Sequence, residues 1–222
     1  SQARRSERQG PTPGRRNSRY QDNIGPTLAG LRHRPAVPRA GQPVTVTVRA
    51  GDPDGVQAVT LHLREDDKAW RTETMDLVDG VYAAAIPAKA RGTLVQFYVE
   101  ARDVLGEVSW CPAAGPESFA QYRVQDDKAR TTGVHNYRIV MRNEQRDLLY
   151  EPTNLMSNER QGATLIVNED EVYYNVDVRL KGSEHGRPKD TRVGFDLSLD
   201  PECPFRGVHE DLAFDRSNGQ QV

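Results

Sequence analysis

The stretch PVTVTVRAGDPDGVQAVTLHLRE, residues 43–65, alternates apolar and polar side chains on both sides of a short polar break. Val44, Val46 and Val48 fall on one side, with Thr45, Thr47 and Arg49 on the other. Successive side chains of a strand point to opposite faces, so this is the signature of a strand with one face buried. Asp52-Pro53-Asp54-Gly55 then supplies turn chemistry, because Asp bonds nearby backbone amides and Gly adopts positive φ at little cost. Val59, Leu61 and Leu63 resume the period-two pattern, and the stretch reads as strand, turn, strand.

The same pattern extends outward. VYAAAIP (81–87) keeps Tyr82, Ala84 and Ile86 in phase, and TLVQFYVEARD (93–103) does so with Val95, Phe97, Val99 and Ala101. FAQYRV closes the set near Val124. Short strands at this spacing, separated by Gly, Pro and Asp turns, predict a mainly β chain whose residues 24–124 form a β-sandwich of immunoglobulin or fibronectin-III type. Asp52, Asp54 and Asp103 also raise a calcium site, since hard cations collect carboxylates on loops between strands. Turn chemistry accounts for the same Asp-Pro-Asp-Gly residues.

The 222 residues carry 30 Lys+Arg against 32 Asp+Glu, a formal charge of −2, so nothing global calls for nucleic acid or an anionic membrane. Residues 1–23 hold Arg4, Arg5, Arg8, Arg15, Arg16 and Arg19 among Gln, Ser, Pro and Gly. With so little to bury they are expected to form a disordered basic arm. No apolar run reaches the length of a membrane span, and SQARRSERQG lacks the apolar region of a signal peptide. The absence of an initial Met leads us to expect sequence upstream. Cys111 and Cys203 are expected to be free thiols, and the five histidines lack zinc spacing.

QDDKARTTG (125–133) is charged, poor in apolar residues and expected to be a linker to a second domain over 134–222. There HNYRIVM reads as a strand and RNEQRDLLYEPTNL as helix and turn, while GATLIVNEDEVYYNVDVRLKG reads as a hairpin across Asn168–Glu171. Strict alternation predicts that Val172, Tyr174, Val176, Val178 and Leu180 share the core face of its second strand. The next strand resumes with Val193, Phe195, Leu197 and Leu199. Between them Lys181–Thr191 forms a long cationic loop. Gly182 and Gly186 allow close backbone approach, and Lys181, Arg187 and Lys189 offer charge to a phosphate. A solvated hairpin loop fits the same residues. This is not a Walker loop, which needs a strand-to-helix setting, and Ser183-Glu184-His185 are too close in sequence to form a catalytic triad.

VYYNVDVRLKGSEHGRPKDTRVGFDL followed by FRGVHEDLAFDRS resembles the amino-terminal part of the CotH kinase family, atypical kinases named for a spore-coat protein. Arg179, Lys181, Gly182, Ser183, Pro188, Lys189, Phe205, Gly207 and Leu212 occupy places of the family pattern. Asp190, Thr191, Gly194 and Asp196 depart from it. The resemblance implies an incomplete α+β amino-terminal part of a CotH-like domain. Arg179, Lys181, Gly182, Ser183 and Lys189 would bind ATP with Mg or Mn, and the catalytic carboxylates would lie beyond Val222. It implies transfer of the γ-phosphate to protein Ser/Thr by the complete parent, in a bacterial extracytoplasmic setting, with a protein substrate or envelope proteins as partners. The segments PAVPRAGQPVTVTVRAGDPDGV and LVQFYVEARDVLG are similar to Ig-like modules that precede CotH-like regions. The alternative is a non-catalytic surface, spore or envelope assembly scaffold with an Ig-like adhesion module, which Asp190 and the acidic following strand favour.

Overall fold

The structure, a computed structural model, describes residues 23–66, 68–125, 135–153, 156–182 and 193–215. The chain is mainly β, and every pairing between its strands is antiparallel. Its first half contains β1 (Thr27–Arg34), β2 (Val44–Gly51), β3 (Val56–Glu65), β4 (Arg71–Thr74), β5 (Asp76–Val78), β6 (Val81–Ile86), β7 (Leu94–Asp103), β8 (Val108–Cys111) and β9 (Gln121–Arg123). One sheet has the order β1-β2-β6-β5 and the other β4-β3-β7-β8. β9 pairs with the first residues of β7 and β8 with its last.

The two sheets bury their inner faces against each other. Val44, Val46, Val48 and Ile86 meet Val59, Leu61, Leu63, Phe97 and Val99, none more than 1% exposed. Burying each such side chain contributes on the order of 1.5–3 kcal/mol, which is why the alternation in residues 43–65 governs this half.

Asp103 is not left to a cation. It accepts from Asn23 Nδ2 at 2.6 Å and from the amides of Leu105 and Glu107 at 2.9 and 2.8 Å. Burial alone would raise its pKa, but these donors outweigh it and the net shift is downward. Asp52 accepts the amide of Asp54, the expected turn bond. Among the described residues no three His, Cys, Asp or Glu side chains are grouped to hold a metal ion.

The second half contains β10 (Tyr137–Val140), α1 (Asn143–Tyr150), β11 (Gln161–Val167), β12 (Glu171–Lys181), β13 (Gly194–Ser198) and β14 (Asp211–Phe214). They form one sheet in sequence order, β10-β11-β12-β13-β14. The sheet curls strongly, since the rings of Tyr137 and Phe214, on its two outer strands, lie 4.8 Å apart. Every residue of β11 after Gln161 is buried, which requires cover on both faces. Ala163, Leu165 and Val167 pack with Val176, Val178 and Leu180 beneath Leu149 of α1 and Phe205. Ile166 turns the other way, to Leu94 of β7 and Ala36.

The single core face expected for β12 is corrected by a bulge. The register with β11 shifts between Ala163 and Leu165, and Asn175 opposite that break has a φ of 52°. An extra residue in one strand resets its alternation. Val172 and Tyr174 therefore pack toward the first half, while Tyr173 joins Val176, Val178 and Leu180 in the second core.

β9 joins the two halves. Ala120, Tyr122 and Val124 enter the sandwich core. Phe119, Gln121 and Arg123, the alternate set, bind the second sheet. The amide of Phe119 donates to Asn175 Oδ1 at 2.7 Å, Gln121 Nε2 to the carbonyl of Val140 at 2.8 Å, and Arg123 to that of Met141 at 3.1 Å. Thr164 accepts the amide of Gln121 and donates its hydroxyl to the carbonyl of Phe119. Gly162 lies so close under Phe119 that a Cβ there would sit 2.1 Å from the ring.

Candidate functional site

The β12–β13 hairpin positions the cations expected to meet phosphate. Its register pairs Arg179 with Asp196 and Lys181 with Gly194. Both side chains lie on the face opposite Val178 and Leu180, so they are not drawn into the core. Gly182, where the chain leaves the strand, has a φ of 114°, a conformation that favours glycine. Ser183 and Lys189, with the rest of the loop, lie outside the described residues.

Arg179 is committed to its neighbours. It donates to Asp196 Oδ2 and to Asn158 Oδ1, each at 2.8 Å, while its Nε is buried without an acceptor. This is a bracing role, tying β12 to β13 and to the segment before β11. Lys181 is more available. Its ammonium meets Asp215 Oδ1 at 2.8 Å, and that carboxylate lies largely in solvent. The hydrogen bond to Asp215 is the main reason the pKa of Lys181 is raised, so the cation is fully charged at neutral pH. An exposed pair of this kind exchanges partners at little cost.

The structure thus brings Arg179, Lys181 and Gly182 to one strand end and sets two carboxylates against them. Asp196 could be found in the sequence by counting across the loop. Asp215 and Asn158 carry no local signal, since nothing in AFDRS or SNER marks a residue that reaches β12. For a triphosphate, Lys181 is a suitable donor, but anion binding there requires it to give up Asp215.

A cleft of about 870 Å³ lies elsewhere, against β10, α1 and Phe195. Tyr137, Ile139, Leu149 and Tyr150 line it together with Arg146. Neither Arg179, Lys181 nor Gly182 does. Its volume falls within the range of small-molecule sites.

A second polar centre sits at the junction of the halves. His33 of β1 is buried, with Nε2 3.0 Å from the carbonyl of Ala36 and Nδ1 2.6 Å from the hydroxyl of Tyr174. A carbonyl only accepts, so Nε2 carries the proton and Nδ1 accepts from Tyr174. The imidazole stacks on Tyr122 with ring centroids 5.0 Å apart. Burial lowers the His33 pKa to about 4, opposed by the Ala36 bond and helped by Arg34, while burial raises that of Tyr174. Both groups are neutral, and they hold the junction together rather than transfer protons.

Cys111 and Cys203 are unbridged. Burial raises the Cys111 thiol to about 11, with smaller contributions from Cys203 and Asp200, so it is a poor nucleophile. Among the described residues no helix is long and apolar enough to cross a membrane.

No family model matches the chain, and no curated protein matches it. Among solved structures, a bromine derivative of BhCBM56 is 16% identical with a TM-score of 0.29, over 40% of this chain and 88% of that one. The uncharacterized protein lmo2446 from Listeria monocytogenes, solved with glucose, magnesium and calcium, is 10% identical with a TM-score of 0.34. That match covers 81% of this chain and 14% of the Listeria protein.

Proposed function

We propose that residues 134–222 are the amino-terminal part of a CotH-like atypical kinase domain, preceded by an Ig-like module over residues 24–124. The parent is a bacterial extracytoplasmic protein that transfers the ATP γ-phosphate to protein Ser/Thr. The observation that supports this most is the end of β12, where an accessible, fully charged lysine stands directly before a glycine at positive φ. Arg179 fixes the strand by holding Asp196 and Asn158, Lys181 neutralises phosphate charge, and Gly182 lets backbone amides approach. Lys189 and Ser183 complete the set on the loop. ATP with Mg or Mn supplies the phosphoryl group and its counter-charge. Orientation of the acceptor hydroxyl falls to carboxylates beyond Val222, because phosphoryl transfer depends on positioning and electrostatics.

The test is titration of Mg-ATP into the complete parent and its Lys181→Ala and Lys189→Ala variants. Each loss should cost about 1–3 kcal/mol of binding, the value of a charged hydrogen bond. Asp215→Asn should tighten binding, because it frees Lys181. Equal affinities across the set would reject nucleotide binding.

The second reading, a non-catalytic envelope assembly scaffold, draws on the compensation of Arg179 by Asp196 and of Lys181 by Asp215, and on Asp190 in the loop. It is the reading left standing by equal affinities.

A further inference from the structure

Among the described residues, the second half covers the outer face of the β4-β3-β7-β8 sheet at one end, where Leu94 and Gln121 are buried. Beyond that cover, strand alternation turns His62, Tyr98, Glu100 and Trp110 outward, on neighbouring strands. His62 and Tyr98 stack with centroids 4.4 Å apart, and Trp70 meets Tyr98 edge-on at 5.1 Å. Tyr98 is thereby buried, whereas Trp110 stays open on the same face, and an open indole on a strand surface that usually carries polar and charged groups requires an explanation.

Trp110 is the most informative of these residues. It is 44% exposed, yet its indole is fixed. Its Nε1 donates to Glu100 Oε2 at 3.2 Å, and its ring rests on Gly115, where a Cβ would lie 3.0 Å away. Gly115 has a φ of 54°, so glycine serves both the backbone and the seat of the ring. Glu100 is held in turn, with Arg102 at 3.6 Å from its other oxygen. His62 lies 3.7 Å from Glu100, but burial lowers its pKa and it stands there as a neutral imidazole. The result is a fixed, open aromatic ring beside a carboxylate and a guanidinium whose charges cancel.

We propose that this face binds a neutral oligosaccharide, with a pyranose C–H face stacked on Trp110 and ring hydroxyls bonded to Glu100 and Arg102. The cancelled charge disfavours phosphates and acidic peptides, whereas a sugar presents the matching pair of an apolar ring face and a hydroxyl rim. Preorganisation of the indole by Gly115 and Glu100 lowers the ordering cost of binding. The site is independent of nucleotide binding at the β12–β13 hairpin.

The 222-residue chain should be titrated with cellohexaose, laminarihexaose, xylohexaose and mannohexaose, followed by calorimetry and by indole fluorescence. At least one is expected to bind saturably and to shift the emission. Trp110→Ala should weaken that binding about tenfold or more, as expected for loss of a stacking ring, and Glu100→Gln should weaken it less. Both variants should keep the wild-type thermal transition. Should Trp110→Ala fail to fold, Trp110→Phe, which keeps an aromatic ring but removes the N–H and half the platform, must still weaken binding. The proposal is overturned if none of the four sugars binds, or if the variants bind as the wild type does.

Discussion

The two halves of the molecule solve the same problem differently. The sandwich buries its inner faces against each other and has a core of its own, drawn from both sheets. Among the described residues the five-stranded sheet has no partner sheet, and covers one face with Leu149, Phe205 and their neighbours and the other with residues of the sandwich. One half is self-sufficient in apolar cover, and the other borrows it. The contrast lies in two strands, β9 and β12, that divide their side chains between two cores.

The sharpest way to break this contrast is at Gly162. A Cβ there would overlap the Phe119 ring, and overpacking of a filled site costs about 1–3 kcal/mol or more. Gly162→Ala should destabilise by about 3 kcal/mol in urea unfolding. It should do so far less in a Phe119→Ala background, where the ring is gone. Additive losses would mean that Phe119 is not the obstacle.

Acid tests the same junction. The His33 pKa is lowered from 6.5 to about 4 on folding, so the unfolded chain binds the extra proton first. The stabilisation is complete above pH 6.5 and is lost as pH falls toward 4, by roughly 3 kcal/mol in all. Unfolding free energies measured from pH 7 to 4 should show this slope in the wild type and a reduced one in His33→Phe. Equal slopes would place the acid sensitivity elsewhere.

Smaller effects follow. Tyr174→Phe leaves the Nδ1 of His33 without its donor and should cost about 1–2 kcal/mol at pH 7, measured by the same unfolding curves. At the hairpin, Arg179 and Asp196 are partly exposed, and a double-mutant cycle to alanine should give a coupling near 1 kcal/mol or less. If the hairpin pair proved worth more than the Tyr174 hydroxyl, the stabilising centre would lie away from the junction.

Much of the first half was legible in the sequence because period-two alternation reports burial on one face directly. The phase of β2, β3, β6 and β7 was readable from Val44, Val59, Tyr82 and Val95 onward. Alternation is silent about the second face. In FAQYRV it gives Phe119, Gln121 and Arg123 a shared face but not its partner, and only the fold brings Thr164 and Asn175 to them. The bulge at Asn175 defeats the method in another way, since one inserted residue reverses the phase within a run, VYYNVDV, that reads as continuous. At the candidate site, Arg179, Lys181 and Gly182 were visible as cations and glycine beside a turn. Their neutralising partners were less so, because Asp215 lies 34 residues from Lys181 and meets it only through two strand pairings.

The double allegiance of β9 also bears on the order in which the chain is made. Gln121 leaves the ribosome well before Thr164, its partner 43 residues later. Domains emerging first generally fold first, so the sandwich can close while β11 is still being synthesised. The surface then left waiting is an aromatic ring, an amide and a guanidinium, with Leu94 and Ala36 as its small apolar part. The reverse order would have left Ile166 and Val172, which face the sandwich, on a sheet without its cover, the kind of surface on which nascent chains aggregate.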